Sequence, residues 1–303
     1  MSVYHETVLL TEAVDGLAVK PDGIYVDVTF GSGGHSKAIV EKLEKGKGKL
    51  FAFDQDQDAK TNLFEDERIV FIPQNFKYLK QYLRLNGVRK VDGILGDLGV
   101  SWHQFDTEDR GFSFRFGDSE LDMRMDANTE ITAQTVLNTY QKQALIDTFK
   151  LYGELPNAFH LAEAIVSARQ LSKIKTVSQL LTLAGPCVRG KRNKFFAQLF
   201  QALRIEVNGE MDALKSLLEQ SKEVLKNEGR LVVIAYHSLE DRLVKNYIKC
   251  GNFEGIEEKD IYGHSEKPFK AINRKVIIPS PKEIKENPKS RSAKMRIAQR
   301  VVI

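Results

Sequence analysis

An apolar run that leads directly into a glycine-dense turn constrains the fold of this chain more than any other feature. Residues 26–35 carry the sequence Val-Asp-Val-Thr-Phe-Gly-Ser-Gly-Gly-His. Glycine tolerates the positive φ angles of a tight turn and has no side chain, so the backbone there can approach a ligand closely. A helix that begins near His35 and Ser36 would direct its unpaired N–H groups at the same place. The segment predicts a strand, a turn and a helix around a nucleotide-like cofactor.

The spacing of the glycines departs from the dinucleotide-binding fingerprint. That fingerprint has glycine at its first, third and sixth places. Here Gly31 and Gly33 fill the first two, and Ser36 stands at the sixth. The departure disfavours NAD, and a tight turn that binds no ligand stays open at this point.

A carboxylate follows the next apolar run. Asp54 ends the run 49–53, some twenty residues after the glycines, where a Rossmann-type fold places the acid that binds ribose hydroxyls. We predict that Asp54 is this ribose ligand. It could also cap the helix expected to begin around Gln57, and the two roles are compatible.

Strand and helix patterns alternate through the first hundred residues, which predicts a parallel α/β sheet. The expected strands are 24–29, 49–54, 69–72 and 91–97, and the expected helices are 34–45, 57–66 and 77–86. The next convincing strand, 230–236, begins about 130 residues later, far more than a crossover connection needs. Helical patterns occupy the interval, at 132–151, 158–171, 176–184 and 195–206.

We therefore predict an inserted helical subdomain, residues 105–206, within a cofactor-binding domain formed by residues 1–104 and 207–303. The sheet's own crossover helix should run from about Glu210 to just before Gly229, and a capped helix should run from Ser238 to about Lys249. Late strands are expected at 274–278 and 294–302.

The charge of the chain is unevenly distributed. Residues 267–303 contain eleven Lys and Arg against two acids, a net +9, whereas the whole chain has +4 and the remainder therefore −5. Such asymmetry indicates a polyanionic partner, with a merely solvated basic tail as the alternative. The chain shows neither a signal-peptide pattern nor a membrane span, so we expect a cytoplasmic protein without a membrane partner. Cys187 and Cys250 have no metal-ligand spacing, and we expect no metal site.

Asp97 ends the fourth predicted strand. Ligands of open α/β sheets bind at the carboxyl ends of the strands, so Asp97 could hold the cofactor or accept a hydrogen bond from a substrate amino group. A loop cap is its alternative role. Trp102 follows nearby and could stack on a base or pack against the insertion.

Basic residues recur where phosphate contacts are plausible. Arg189, Lys191 and Arg192 precede two phenylalanines, in a loop suited to a phosphate backbone or simply to solvent. This loop matches G-x-x-x-x-G-K, but Arg192 replaces the Ser or Thr of a P-loop and a helical pattern precedes it, so we reject a P-loop. His237 ends the fifth strand and could face substrate or be structural. The tail adds Lys289, Arg291, Lys294 and Arg296, which would position RNA without reading its sequence.

Together these segments resemble the RsmH (MraW) family over nearly the whole chain. The matching motifs are HETVLL at 5–10, GGH at 33–35, DLGVS at 97–101, RGFSF at 110–114, LDMRMD at 121–126, FQALRI at 200–205, HSLEDR at 237–242 and SRSAK at 290–294. Members are bacterial S-adenosylmethionine-dependent methyltransferases that methylate N4 of a cytidine in the decoding region of 16S ribosomal RNA. The resemblance implies a Rossmann-like methyltransferase sheet and a partner in the small-subunit RNA or the 30S subunit.

The resemblance also implies a set of cofactor-binding residues: Gly33, Gly34, His35, Asp54, Phe76, Asp97 and Gln104. Of these, Phe76 and Gln104 rest on the resemblance alone. Trp102 and His103 stand where the family commonly has Ser-Pro, a departure that concerns the RNA contacts and not the cofactor site.

The implied reaction is direct in-line methyl transfer to the exocyclic nitrogen. The lone pair of that nitrogen is delocalised into the ring, so an acceptor such as Asp97 would favour its nucleophilic geometry. Three other functions remain open: a nicotinamide-dependent oxidoreductase, a non-catalytic RNA-binding assembly factor with a residual cofactor pocket, and a small-molecule methyltransferase, for which the basic tail and the insertion would have no purpose. The first lacks a Tyr-x-x-x-Lys pair and the sixth-position glycine.

Overall fold

The computed structural model describes residues 7–99, 110–258 and 267–302. The chain forms two compact units, one made of Met1–Gly99 with Met211–Ile303 and the other of Val100–Glu210. Among the described residues, no helix combines the length and the apolar character that crossing a membrane requires.

A seven-stranded sheet organises the first unit, in the order β3-β2-β1-β4-β5-β7-β6. The strands are β1 (Ile24–Asp27), β2 (Lys49–Phe53), β3 (Ile69–Ile72), β4 (Val91–Asp97), β5 (Leu225–Ala235), β6 (Phe269–Ala271) and β7 (Lys294–Arg300). The first five are parallel, whereas β7 runs antiparallel to both β5 and β6. Strand β1 pairs with β2 on one side and β4 on the other, so the order reverses there. Such a reversal opens a crevice at the carboxyl ends of the strands.

The helices follow in chain order. They are α1 (Leu10–Leu17), α2 (Gly34–Lys42), α3 (Leu79–Leu85), α4 (Ala133–Thr139), α5 (Lys142–Leu151), α6 (Ala158–Leu171), α7 (Val177–Ala184), α8 (Arg192–Asn208), α9 (Glu210–Val224), α10 (Ser238–Cys250) and α11 (Pro281–Glu286). Helix α1 lacks a side-chain N-cap of its own, and its cap residue Leu9 has a φ of 50°. The Leu9 N–H instead donates to Glu283 Oε1 of α11 at 2.8 Å, which joins the two ends of the chain.

Both faces of the sheet are covered, as a parallel sheet requires. On one face Ile94 and Leu231 pack with Leu217 of α9. On the other, Leu95 and Val232 pack with α1 and α2. Each of these side chains is fully buried, and burial of such a side chain stabilises the fold by about 1.5–3 kcal/mol.

The second unit is helical where it is described. Its core brings together α4 to α8 around fully buried residues such as Phe149, Leu161 and Leu199. Two of its helices begin with capping boxes, Thr132 with Thr135 and Thr176 with Gln179, which satisfy backbone N–H groups that a helix start leaves unpaired.

The predicted Rossmann-like α/β sheet is confirmed, with corrections to single elements. The expected helix at 57–66 is a 3₁₀ helix, Gln57–Asn62. The helix at 132–151 is two helices, because Tyr140 and Gln141 take extended backbone angles. Helices α1 and α11 were not expected, and β5 begins at Leu225 rather than at residue 230.

The predicted strand 274–278 is wrong, and the edge strand is Phe269–Ala271 instead. The reason is that a side chain, and not a neighbouring strand, accepts a backbone hydrogen bond here. Asn273 Oδ1 accepts from the Ile297 N–H at 2.7 Å, which a strand neighbour would otherwise bind. Asparagine side chains compete in this way with the backbone hydrogen bonds between strands. After Asn273, Ile277 pairs with Met295 as an isolated bridge.

Two leucines of α3 test how the helix is held. Leu83 is fully buried, whereas Leu85 is 72% exposed. Leu83→Ala should lower the free energy of unfolding by about 2–5 kcal/mol, because it removes buried atoms and leaves a cavity. Leu85→Ala makes the same chemical change and should stay within about 0.5 kcal/mol. Urea denaturation followed by circular dichroism measures both, and equal losses would show that α3 is not held by packing on the sheet.

Candidate active site

The turn after β1 has the open geometry that its glycines predict. Gly31 and Gly33 have φ angles of 53° and 80°. Helix α2 begins at Gly34 without a side-chain N-cap bond, so its first N–H groups can face an anion or a polar ligand. A Cβ on Gly34 would lie 1.9 Å from Thr7 Oγ1, and one on Gly33 would lie 2.9 Å from the Phe30 ring. These two positions therefore require glycine on steric grounds as well.

Asp27, at the end of β1, is a site residue that the sequence reasoning missed. It is 1% exposed, and it accepts hydrogen bonds from the Thr29 N–H at 3.1 Å and the Ser36 hydroxyl at 2.7 Å. Thr29 in turn accepts from the Asp97 N–H at 2.7 Å through its hydroxyl oxygen. Burial raises the pKa of Asp27. An acidic residue inside an apolar strand is the sequence feature that could have indicated this site residue.

Asp54 joins the glycine turn to β2. Its carboxylate accepts from the Gly31 N–H at 2.8 Å and from the Asp56 N–H at 2.9 Å. Burial raises its pKa to about 6 in spite of these two bonds. The helix-cap role belongs to Asp56, which accepts from the Asp58 N–H. Each carboxylate oxygen of Asp54 has a second lone pair, so a ribose hydroxyl could still be bound.

Asp97 carries a buried carboxylate oxygen without a partner. Its Oδ1 is inaccessible and forms no hydrogen bond with the described residues, although 21% of the side chain is exposed. Burial raises the pKa of Asp97 to about 7, and the negative charge of Glu240 adds to this rise. The Tyr236 hydroxyl and the Gly99 N–H interact with the carboxyl group and oppose the rise. An orphaned acceptor of this kind is costly, and a ligand donor would satisfy it.

Burial favours the neutral form of His35, which faces Asp97. Its side chain is buried, and burial lowers its pKa. Its Nε2 lies 3.1 Å from the Val8 carbonyl oxygen; because a carbonyl only accepts, this nitrogen carries the proton. Nδ1 is then a bare lone pair, 3.9 Å from Asp97 Oδ2. His35 therefore cannot donate a hydrogen bond to Asp97.

Of the two remaining predicted cofactor residues, Phe76 and Gln104, the structure describes only the first. Phe76 is half-buried and opens a 3₁₀ turn after β3, where Asn75 caps the turn by accepting from the Lys77 N–H. It thus lies at the carboxyl edge of the sheet. Gln104 lies outside the described residues, as does Trp102 among the predicted RNA contacts.

The predicted RNA-contacting residues differ in their exposure and in their contacts within the protein. Arg189, Lys191 and Arg192 are exposed, and Arg192 lies over the Phe196 ring at 4.9 Å. Lys289 and Arg291 are exposed as well. For three others the contacts are these: Arg296 donates to Asp241 at 2.7 Å, Lys294 lies 3.9 Å from Asp241, and His237 caps α10 beside Glu240.

The raised pKa of Asp97 predicts a pH-dependent stability. The folded state binds this proton more tightly than the unfolded state does. The contribution of Asp97 to stability is therefore fully present below its ordinary pKa of 3.8, where the group is protonated in both states, and it is lost as the pH rises through about 7. Between pH 6 and 8 the free energy of unfolding of the wild type should fall by about 1.4 kcal/mol relative to Asp97→Asn. Urea unfolding without cofactor measures this. The control Asp212→Asn, at a position 87% exposed, should show no such trend, and parallel wild-type and Asp97→Asn curves would contradict the assignment.

Comparisons with known proteins identify the family of this chain. The model of the MraW methylase family matches residues 2–301. A relative from Christiangramia forsetii, named ribosomal RNA small subunit methyltransferase H, is 54% identical over 299 residues, which is 98% of each chain. A protein of the same name from Flavobacterium johnsoniae is 56% identical over 299 residues, again 98% of each chain. The resemblance carried by the motifs is thereby confirmed, and the chain belongs to the MraW methylase family.

Proposed function

We propose that this protein is an S-adenosylmethionine-dependent methyltransferase that methylates the exocyclic N4 of a cytidine in the decoding region of bacterial 16S ribosomal RNA. One observation carries the proposal. The orphaned Oδ1 of Asp97 lies at the same edge of the sheet as the glycine turn and Asp54. A hydrogen-bond acceptor beside a cofactor cradle suits a substrate amino group. Membership in a methylase family supports this reading.

The residues of the first unit fit this cofactor. Gly33, Gly34 and His35 would form the cradle at the open start of α2, and Asp54 would bind the ribose hydroxyls. Phe76, half-buried at the edge, would contact the adenine, and Asp97 and Gln104 complete the proposed set. When bound, the cofactor supplies an electrophilic methyl group on a sulfonium.

Asp97 would orient and activate the amino nitrogen. Its carboxyl group, in a side chain that is 21% exposed, would accept one N4–H, which draws the nitrogen lone pair out of conjugation and toward the methyl group. With a pKa of about 7, the carboxylate is available at neutral pH and can take the proton that the nitrogen loses. Neutral His35 adds no positive charge that would compete for the carboxylate.

The other unit and the tail would hold the RNA. The proposed division is residues 1–104 with 207–303 for the cofactor and 105–206 for substrate recognition. Arg189, Lys191 and Arg192 surround the start of α8, which has no side-chain N-cap bond. Cations and a helix N-terminus both favour phosphate. The target base would leave its stack to reach Asp97.

Asp97→Asn separates catalysis from cofactor binding. The amide keeps the size of the side chain but cannot take a proton, so the methylation rate should fall by about 100-fold or more. The affinity for S-adenosylhomocysteine should fall by much less than the rate, because the glycine turn and Asp54 would still hold the cofactor. The measurement is labelled methyl transfer to 30S subunits from a strain that lacks the protein, with nucleoside mapping and calorimetry. In the wild type, kcat/KM should rise with pH up to about 7 and then level.

Asp212→Asn serves as the matched control, because this exposed acid lies on α9. A full rate for Asp97→Asn would remove Asp97 from catalysis. Binding of NAD(H) in place of S-adenosylhomocysteine would identify an oxidoreductase. Binding of 30S subunits without methyl transfer would identify an assembly factor.

The basic loop before α8 predicts a salt effect. Each phosphate contact releases counterions, so Arg189→Ala and Lys191→Ala should each reduce the slope of log Kd for 30S subunits against log salt by about one. Filter binding at several salt concentrations measures the slope. Lys173→Ala removes an exposed cation of the same unit and should leave it unchanged. Equal slopes in all variants would place the RNA elsewhere.

A further inference from the structure

A cavity of about 300 Å³ lies beyond the carboxyl end of β5, within the unit that contains the sheet. Its apolar wall includes Ile278, Pro279 and Ile284, and its polar wall includes His237, Arg291 and Lys294. That volume is at the lower end of the range for small-ligand sites. The cofactor cradle belongs to β1, β2 and β4, so this cavity is a separate feature.

Tyr236 connects the cavity with Asp97. The residue lines the cavity, and its hydroxyl interacts with the Asp97 carboxyl group. Its ring packs against the backbone after β4, since a Cβ on Gly99 would lie 2.8 Å from it. The cavity therefore begins one side chain away from the proposed reactive carboxylate.

In the part of the chain that the structure describes, one cation in the lining of the cavity is not paired with an acid. Arg291 is exposed, and among the described residues it forms no ion pair. Asp241 lies 3.9 Å from Lys294 but is bound mainly by Arg296, at 2.7 Å.

The other nearby carboxylates interact with groups other than Arg291. Glu283 accepts from the Leu9 N–H at 2.8 Å, and Glu240 is buried and accepts from the Tyr236 N–H at 2.8 Å. Glu286 lies 4.0 Å from Lys282. Among the described residues Arg291 therefore forms no ion pair, and a guanidinium in this position suits a phosphate.

The wall of the cavity has a fixed part and an exposed part. The His237 side chain is 9% exposed, and its Nε2 lies 3.1 Å from Glu240 Oε1, which holds the imidazole in place. Ile278, which also lines the cavity, is 62% exposed and leaves an apolar surface beside the cations.

We propose that this cavity binds a nucleotide adjoining the target cytidine on the RNA strand. Its phosphate would lie at Arg291 and Lys294, and its base or ribose would lie against Ile278 and Ile284. A base that leaves its stack needs its neighbours held, and contacts to flanking nucleotides select the sequence context. The inference rests on the proposed function, because it names a part of the same RNA substrate.

Two variants test the cavity by different means. Ser292→Trp fills it without changing charge, since Ser292 lines it and is exposed. Arg291→Glu inverts the charge at its rim. Lys285→Glu makes the same charge change on the exposed surface of α11 and is the matched control.

Methyl transfer is measured at varied concentrations of 30S subunits, and the Kd for 30S subunits is measured by filter binding. Ser292→Trp and Arg291→Glu should each raise KM and Kd by tenfold or more, with kcat within threefold and S-adenosylhomocysteine affinity unchanged. Lys285→Glu should stay within twofold. If Ser292→Trp does not fold, Arg291→Glu decides, because its position is exposed.

The outcomes separate this inference from the function on which it rests. An active wild type whose KM and Kd are the same in both cavity variants and the control overturns the cavity assignment alone. A wild type that binds 30S subunits but transfers no methyl group overturns the proposed function, and the Kd values still decide whether the cavity takes part in RNA binding.

Discussion

The buried carboxylate of Asp27 holds the catalytic edge of the sheet together. It binds the Thr29 N–H and the Ser36 hydroxyl, so it fixes both the exit of β1 and the first turn of α2. Thr29 extends the connection to the backbone of Asp97. A buried acid is costly unless hydrogen bonds compensate it. Asp27 is held by such bonds, and the glycine turn and Asp97 keep their positions because of them.

Much of the fold could be predicted from the sequence because its signals are local. The alternation of apolar runs and helical patterns predicted the first four strands within a few residues, and the helical patterns before residue 230 match helices of the structure. The errors occurred where one side chain decides the structure. Asn273 replaces a ladder bond, and Tyr140 with Gln141 interrupts a helical pattern that periodicity alone treats as continuous.

The candidate site could be predicted only in part. Asp54 and Asp97 end strands, and their positions at the sheet edge follow from topology. Asp27 was missed because an acid in an apolar run looks like part of the strand. The cavity joins residues near 237 with residues 278–294, and no local pattern shows that these segments meet. The charge count of the tail also overstated its free cations, because Arg296 binds Asp241 and Arg300 donates to the Lys222 carbonyl.

The bond between Leu9 and Glu283 has a consequence for the order in which the protein is assembled. Helix α1 covers the sheet early in the chain, and the adjacent Val8 carbonyl orients His35. Yet the group that caps α1 comes from residue 283. A ribosome releases the chain from its N-terminus, so the first helix waits for its cap until almost all of the sheet has been made. The bond that fixes the start of α1 therefore forms only late in synthesis, after the whole helical unit proposed to recognise the RNA has emerged.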